Sequence, residues 1–234
     1  MIREEIVHIN GMPEKLVVFL HGYLDSSDSV DARLRELCGA LPSVAVHIPQ
    51  APYPCEVEPH MRQWYSMYRF DPGYERKNAP TMKKFVGYYN RMALGLEETC
   101  GYLMPYLEQT LAEYNLGFDD LFLCGFSQGA MAAIYTALMC PEKIGGLISF
   151  SGIMAGHEHL LKHAKSHPDA LLLHGTGDKY LRLQSMDFTA RQLRKIGCSV
   201  QCESIAGGIH NISPQAVKHA VGFIRQRMSP PLRF

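Results

Sequence analysis

Leu121-Phe122-Leu123-Cys124-Gly125-Phe126-Ser127-Gln128-Gly129-Ala130-Met131-Ala132-Ala133-Ile134-Tyr135 runs from an apolar strand-like stretch through a glycine-flanked serine into a helix-forming stretch. The pentapeptide Gly125-Phe126-Ser127-Gln128-Gly129 occurs by chance in many chains, so its setting decides how it is read. Between a strand and a helix, such a serine stands on a tight turn beyond the end of a sheet. The glycines on either side leave room for strand and helix to approach closely. A serine so placed is a candidate nucleophile for acyl transfer. The plain alternative is a small residue filling a packed turn.

Outward from this point, short apolar segments alternate with helix-length amphipathic ones, the pattern of parallel βαβ units. Strands are expected at Ile6–Ile9, Leu16–Leu20, Val44–Ile48, Leu121–Cys124, Ile144–Phe150, Ala170–His174 and Ser199–Ser204. Helices are expected near Asp28–Leu41, Gly95–Glu113, Gln128–Met139, Leu183–Ile196 and Pro214–Met228, the last with Ser213 as its N-cap. Leu16–Leu20 and Leu121–Cys124 are almost wholly apolar, which suits strands covered on both faces. The fold class is therefore α/β, a mostly parallel central sheet with helices on both faces, in one domain over residues 1–228. Residues 229–234 form a proline-containing tail. The stretch 61–94 has no clean period but carries Met61, Trp64, Tyr65, Met67, Phe70, Phe85, Tyr89 and Met92. It reads as a lid over a site or as irregular core.

A serine hydroxyl needs a base, and the base needs an orienting acid. On such a sheet both belong in loops after later strands, in the order serine, acid, histidine. Asp178, in His174-Gly175-Thr176-Gly177-Asp178, directly follows a strand. Asp169 precedes that strand, and Asp187 falls in the next helix. Of the eleven histidines, His210 and His219 lie beyond the acid. His219 is mid-helix, whereas His210 follows the last strand in Ala206-Gly207-Gly208-Ile209-His210. Backbone N–H groups of Gln128, at a helix N-terminus, and of Tyr23, after an early strand, are the candidate oxyanion donors. His21 and His174 read as packing residues at strand ends.

Together, His21-Gly22, Gly125-Phe126-Ser127-Gln128-Gly129, His174-Gly175-x-x-Asp178 and Gly208-x-His210 resemble the phospholipase/carboxylesterase family of α/β-hydrolases. That family includes acyl-protein thioesterases and small bacterial carboxylesterases. Pro49-Gln50-Ala51-Pro52 and Gln63-Trp64-Tyr65-Ser66 are similar to its proline turn and its cleft segment. The likeness covers about residues 15–227. It implies a single-domain α/β-hydrolase with Ser127 as nucleophile, His210 as base, Asp178 as orienting acid, and Tyr23 and Gln128 at the oxyanion. Leu24, Trp64 and Tyr65 are expected at the substrate. The chain departs from the family pattern where Leu24 replaces a glycine, Ser66 an aspartate, and Lys179-Tyr180-Leu181-Arg182 a valine- and proline-containing run. All three positions are expected beside the acyl or leaving group, so they bear on the substrate.

The implied function is hydrolysis of carboxylic esters or thioesters through an acyl-enzyme. The alternatives are a lysophospholipase on the same triad and a non-catalytic binding protein of the same fold. The substrate is expected to be a small-molecule or lipid acyl ester, or an acylated protein. No cofactor or metal is implied. His159, His163 and His167 recur at helical spacing but read as a solvated face, and Cys198 and Cys202 as packing residues on one face of a strand. Balanced charge, 23 basic against 23 acidic residues, gives no reason to expect nucleic acid as a partner. No segment suggests stable membrane insertion. Seven scattered cysteines fit a reducing, cytoplasmic setting. A monomer or homodimer is expected.

Overall fold

The computed structural model describes residues 5–228. The tail read from the sequence at 229–234 lies outside them. In chain order the strands are β1 (Glu5–Asn10), β2 (Lys15–Leu20), β3 (Val44–Pro49), β4 (Tyr53–Pro54), β5 (Arg62–Gln63), β6 (Leu121–Phe126), β7 (Gly146–Phe150), β8 (Ala170–Gly175) and β9 (Val200–Ile205). The α-helices are α1 (Ser27–Ala40), α2 (Met67–Phe70), α3 (Met82–Asn90), α4 (Ala93–Tyr114), α5 (Gln128–Met139), α6 (His157–His163), α7 (Gln184–Ile196) and α8 (Pro214–Met228).

Among the described residues the main sheet has seven strands in the order β1-β3-β2-β6-β7-β8-β9. Only β1 is antiparallel, pairing with β3 at the edge. The two most apolar strands, β2 and β6, are neighbours at the interior of the sheet. Alternation along β2 divides the core. Leu16, Val18 and Leu20 face the cluster built with α3 to α7. Val17 and Phe19 face the cluster built with α1 and α8. Both faces are dry, so no polar side chain of β2 beyond Lys15 could be tolerated without a partner.

The expected helix starting at Pro214 is present, and its first turn is capped where Ser213 Oγ accepts the Ala216 N–H at 3.2 Å. Two cysteine and histidine readings change. Cys198 lies before β9, so it and Cys202 do not share a strand face. Helix α6 ends at His163, so His167 is not on the face of His159 and His163. His159 instead stacks on Tyr135 with ring centroids 5.9 Å apart.

The aperiodic stretch 61–94 contains β5, α2 and α3, elements too short to impose a visible period. Trp64, Tyr65, Met67, Phe85, Tyr89 and Met92 are all buried within the larger core cluster. Thr99 of α4 anchors the stretch by donating to the Trp64 carbonyl at 2.9 Å.

Candidate active site

Because β2, β6, β7, β8 and β9 run parallel, the loops that follow them emerge at one edge of the sheet. Ser127 follows β6, Asp178 follows β8 and His210 follows β9. Ser127 holds φ 53° and ψ −113°, a conformation costly for any residue with a Cβ. Two features keep it there. Its N–H donates to the Phe150 carbonyl at the end of β7, and its own carbonyl accepts from Met131 in α5. A Cβ on Gly125 would lie 2.4 Å from the Gly129 backbone, and one on Gly129 would lie 2.1 Å from the Leu20 carbonyl oxygen. Only glycine fits where β6, α5 and β2 meet.

The loops after β8 and β9 are joined by their backbones. Gly177 N–H donates to the Gly208 carbonyl at 2.8 Å, and Gly207 N–H to Thr176 Oγ1 at 2.8 Å. A Cβ at Gly175 would fall 2.2 Å from the Gly208 oxygen. This contact sets Asp178 and His210 at a fixed separation. His210 Nδ1 is 2.6 Å from Asp178 Oδ2, and His210 Nε2 is 3.0 Å from Ser127 Oγ. The carboxylate selects the tautomer protonated on Nδ1, leaving Nε2 to accept the serine proton. Phe126 and Tyr180 flank the imidazole, with centroids 4.7 and 5.3 Å from it.

The Asp178 side chain is fully buried. Burial pushes its carboxyl upward, but hydrogen bonds from His210 and from the Leu181 and Tyr180 N–H groups outweigh burial and hold it below the usual carboxylate range. Buried His174 adds a second imidazole, with Nε2 3.4 Å from Asp178 Oδ2 and 3.0 Å from the Leu181 carbonyl. Desolvation pushes His174 down, which keeps it neutral beside the acid.

The loop after β2 presents Tyr23 toward the same edge, and Asp25 closes that loop by accepting the Gly22 N–H on Oδ2 and the Ser26 N–H on Oδ1. Leu24, which stands where the resemblance implies glycine, takes φ 56°. The loop thus keeps a glycine-like backbone despite its side chain. His21 is buried beneath, accepting the Ala51 N–H on Nε2, while its Nδ1 donates to the Gly22 carbonyl. Desolvation pushes its pKa down and leaves Nε2 free to accept. Gln128 stands in the first turn of α5, where helical N–H groups have no partner within the helix.

A cavity of about 690 Å³ opens beside these residues. Ser127, His210, Gln128, Tyr23 and Leu24 line it. Trp64 and Tyr65 do not. They are 1% and 2% exposed and act behind the wall, where Trp64 Nε1 donates to the His21 carbonyl at 2.8 Å. The Gln128 side chain clamps both, accepting the Trp64 N–H and donating to the Tyr65 carbonyl. Ser66, expected near the acyl or leaving group, caps α2 by accepting the Arg69 N–H. The cavity floor adds Met67, Phe85, Tyr89 and Met131, and Lys77 lies toward its mouth with Lys179 and Arg182, which belong to the run expected beside the acyl or leaving group. Met67, Phe85 and Tyr89 had as their only signal in sequence the richness of 61–92 in Met and aromatics, which carries no register.

A mostly parallel seven-stranded sheet with a glycine-flanked serine at the β6–α5 turn is the α/β-hydrolase fold. The phospholipase/carboxylesterase family model matches residues 2–228, and the chain belongs to that family. It is a hydrolase of carboxylic esters or thioesters. Acyl-protein thioesterase 1 of Debaryomyces hansenii is 22% identical over 220 residues, which is 89% of each chain. Among solved structures, the esterase PE8 superposes with a TM-score of 0.83 at 27% identity, over 94% of this chain and 97% of that one. SOBER1 of Arabidopsis thaliana has the same fold, with a TM-score of 0.74 at 20% identity over 92% of this chain and 99% of that one. No helix among the described residues is long and apolar enough to cross a membrane.

Proposed function

We propose that Ser127, His210 and Asp178 form the catalytic triad. The supporting observation is the continuous chain Ser127 Oγ, His210 Nε2, His210 Nδ1, Asp178 Oδ2, with links of 3.0 and 2.6 Å. Ser127 Oγ attacks the acyl carbonyl as His210 takes its proton. The resulting oxyanion is held by the N–H groups of Tyr23 and Gln128. Collapse breaks the bond to the leaving oxygen or sulfur, which receives the proton from His210. Water then enters, gives a proton to His210 and releases the acid, regenerating Ser127. Asp178 stays ionised throughout and stabilises the imidazolium.

The acyl group is taken to lie on the apolar floor formed by Met67, Phe85, Tyr89 and Met131, whose soft and aromatic surfaces suit a flexible alkyl chain. A lipid ester or an acylated protein both fit this reading. The described cysteines are all free, which favours a reducing cytoplasm. The test is turnover of butyryl and longer nitrophenyl esters by the wild type and Ser127→Ala, with fluorophosphonate labelling in parallel. A drop of about 10⁴-fold or more with loss of labelling is expected. Equal turnover by both proteins would exclude the triad, and a rate independent of acyl length would exclude the apolar floor as the acyl site.

A further inference from the structure

The whole chain is electrically balanced, 23 basic against 23 acidic residues, but the wall of the catalytic cavity is not. It carries Arg76, Lys77, Lys179 and Arg182 and no aspartate or glutamate. Arg76 is accounted for: it is buried and ion-paired with buried Asp71. The other three make no ion pair among the described residues. Instead two of them, Lys77 and Arg182, are positioned by aromatic faces. Lys77 Nζ stands 4.9 Å from the centre of the Tyr74 ring, and the Arg182 guanidinium 4.9 Å from that of Phe85. Arg182 also donates to the Ala79 carbonyl, which fixes it between the loop after Asp178 and the wall opposite. A cation held by a ring face or a neutral carbonyl keeps its full charge toward the cavity.

The wall is also graded by depth. The floor residues Met67, Phe85, Tyr89 and Met131 are buried and, the paired Arg76 aside, carry no ionic group. Lys77, Lys179 and Tyr180 are exposed, and Arg182 is half-buried where it stands on the Phe85 ring, so the unpaired positive charge lies at the mouth and just inside it. A substrate with an apolar acyl chain on the floor leaves its other half at that mouth.

We propose that the protein selects acyl esters or thioesters whose leaving group carries an anion, carboxylate or phosphate, bound at the mouth by Lys77, Lys179 and Arg182. This rests on the acyl-transfer reading of Ser127 and names the half of the substrate that reading leaves open. The mouth is wet, so each cation contributes modestly and the three act together.

The experiment compares matched neutral and anionic leaving groups on one acyl chain. The butyrate esters of 3-hydroxybenzoate and 3-hydroxybenzamide form the carboxylate pair. Monobutyrylglycerol phosphate and monobutyrylglycerol form the phosphate pair. For the wild type at low salt, kcat/KM is expected to favour the anionic member of at least one pair by about tenfold, and the ratio to fall as NaCl is added. The pair with the larger ratio identifies the anion. In Lys77→Gln/Lys179→Gln, where both altered residues are exposed, the ratio falls toward one, and adding Arg182→Gln completes the loss. Turnover of the neutral esters with a wild-type ratio of one or less in both pairs overturns anion selection and leaves the triad standing. A preference for 4-nitrophenyl hemisuccinate over 4-nitrophenyl butyrate overturns it too, by placing the anion on the acyl side. No turnover of any ester, with no fluorophosphonate labelling of Ser127, removes the catalytic reading and this one with it.

Discussion

The two sides of the cavity are held by different forces. On the side of Ser127, Asp178 and His210, main chain fixes main chain: Gly125 against Gly129, Gly129 against Leu20, Gly175 against Gly208. On the side formed by residues 61–90, single side chains do the fixing: Gln128 to Trp64 and Tyr65, Trp64 to His21, Thr99 to Trp64. Backbone contact leaves no slack, whereas side-chain contact can be exchanged one bond at a time. The first side suits a reaction that must be repeated in one geometry, the second a wall that can be refitted to a different substrate.

If this division holds, damage on the first side is severe and damage on the second is graded. Asp178→Asn is expected to lower kcat by about 10³- to 10⁴-fold, since it keeps the shape but disturbs the imidazole tautomer. It also has a pH signature. The carboxyl is depressed in the folded protein, so its stabilisation is complete above the unfolded-state value of about 4 and is lost as pH falls through the lower folded value. Urea unfolding of wild type and Asp178→Asn should show a stability gap that is flat at neutral pH and narrows in acid. A gap that widened in acid would contradict the lowered value.

Gly129→Ala comes next. Its Cβ would sit 2.1 Å from the Leu20 oxygen, so strand β2 and helix α5 must separate. A loss of roughly 3 kcal/mol or more is expected, or failure to fold, by thermal or urea unfolding. A fully stable and active Gly129→Ala would break the claim that this side is fixed by backbone contact.

On the wall, Trp64→Phe removes the donor to the His21 carbonyl at 2.8 Å and leaves that buried oxygen without this partner. About 1–2 kcal/mol should be lost, with the protein still folded and measurable activity retained. The smallest effect is expected from Leu24→Gly. Glycine relieves the φ of 56° but adds freedom to the unfolded chain, so a gain of only about 0.5 kcal/mol should remain. A clear loss would mean that the Leu24 side chain contributes packing that its 37% exposure does not suggest.

The same division explains what could be read from sequence. The strands of the main sheet, the serine turn and the loops that carry Asp178 and His210 follow from rules of backbone and order: continuous apolar runs, glycines at close approaches, loops after successive strands. Residues 61–94 follow no such rule, because α2 and α3 are short and their register is set by whichever buried partner they meet. Trp64 and Tyr65 therefore looked like substrate contacts but prove to be supports behind the wall. Lys77 and Arg182, 50 and 55 residues from Ser127 in opposite directions, gave no local sign that they meet at one opening. Leu24 shows a further limit: the sequence marks it as a departure from a glycine, but does not show that it takes a φ of 56°, a conformation glycine adopts more readily.

Gln128 ties the two sides together. Its main chain belongs to the rigid side, at the turn proposed to hold the oxyanion, while its side-chain amide is the peg on which Trp64 and Tyr65 hang. Shifting the wall therefore pulls on the residue whose N–H is proposed to hold the oxyanion. On that proposal, fit at the acyl chain and rate at the carbonyl are mechanically linked through one amide, so a poorly fitting substrate would be penalised in kcat as well as in binding.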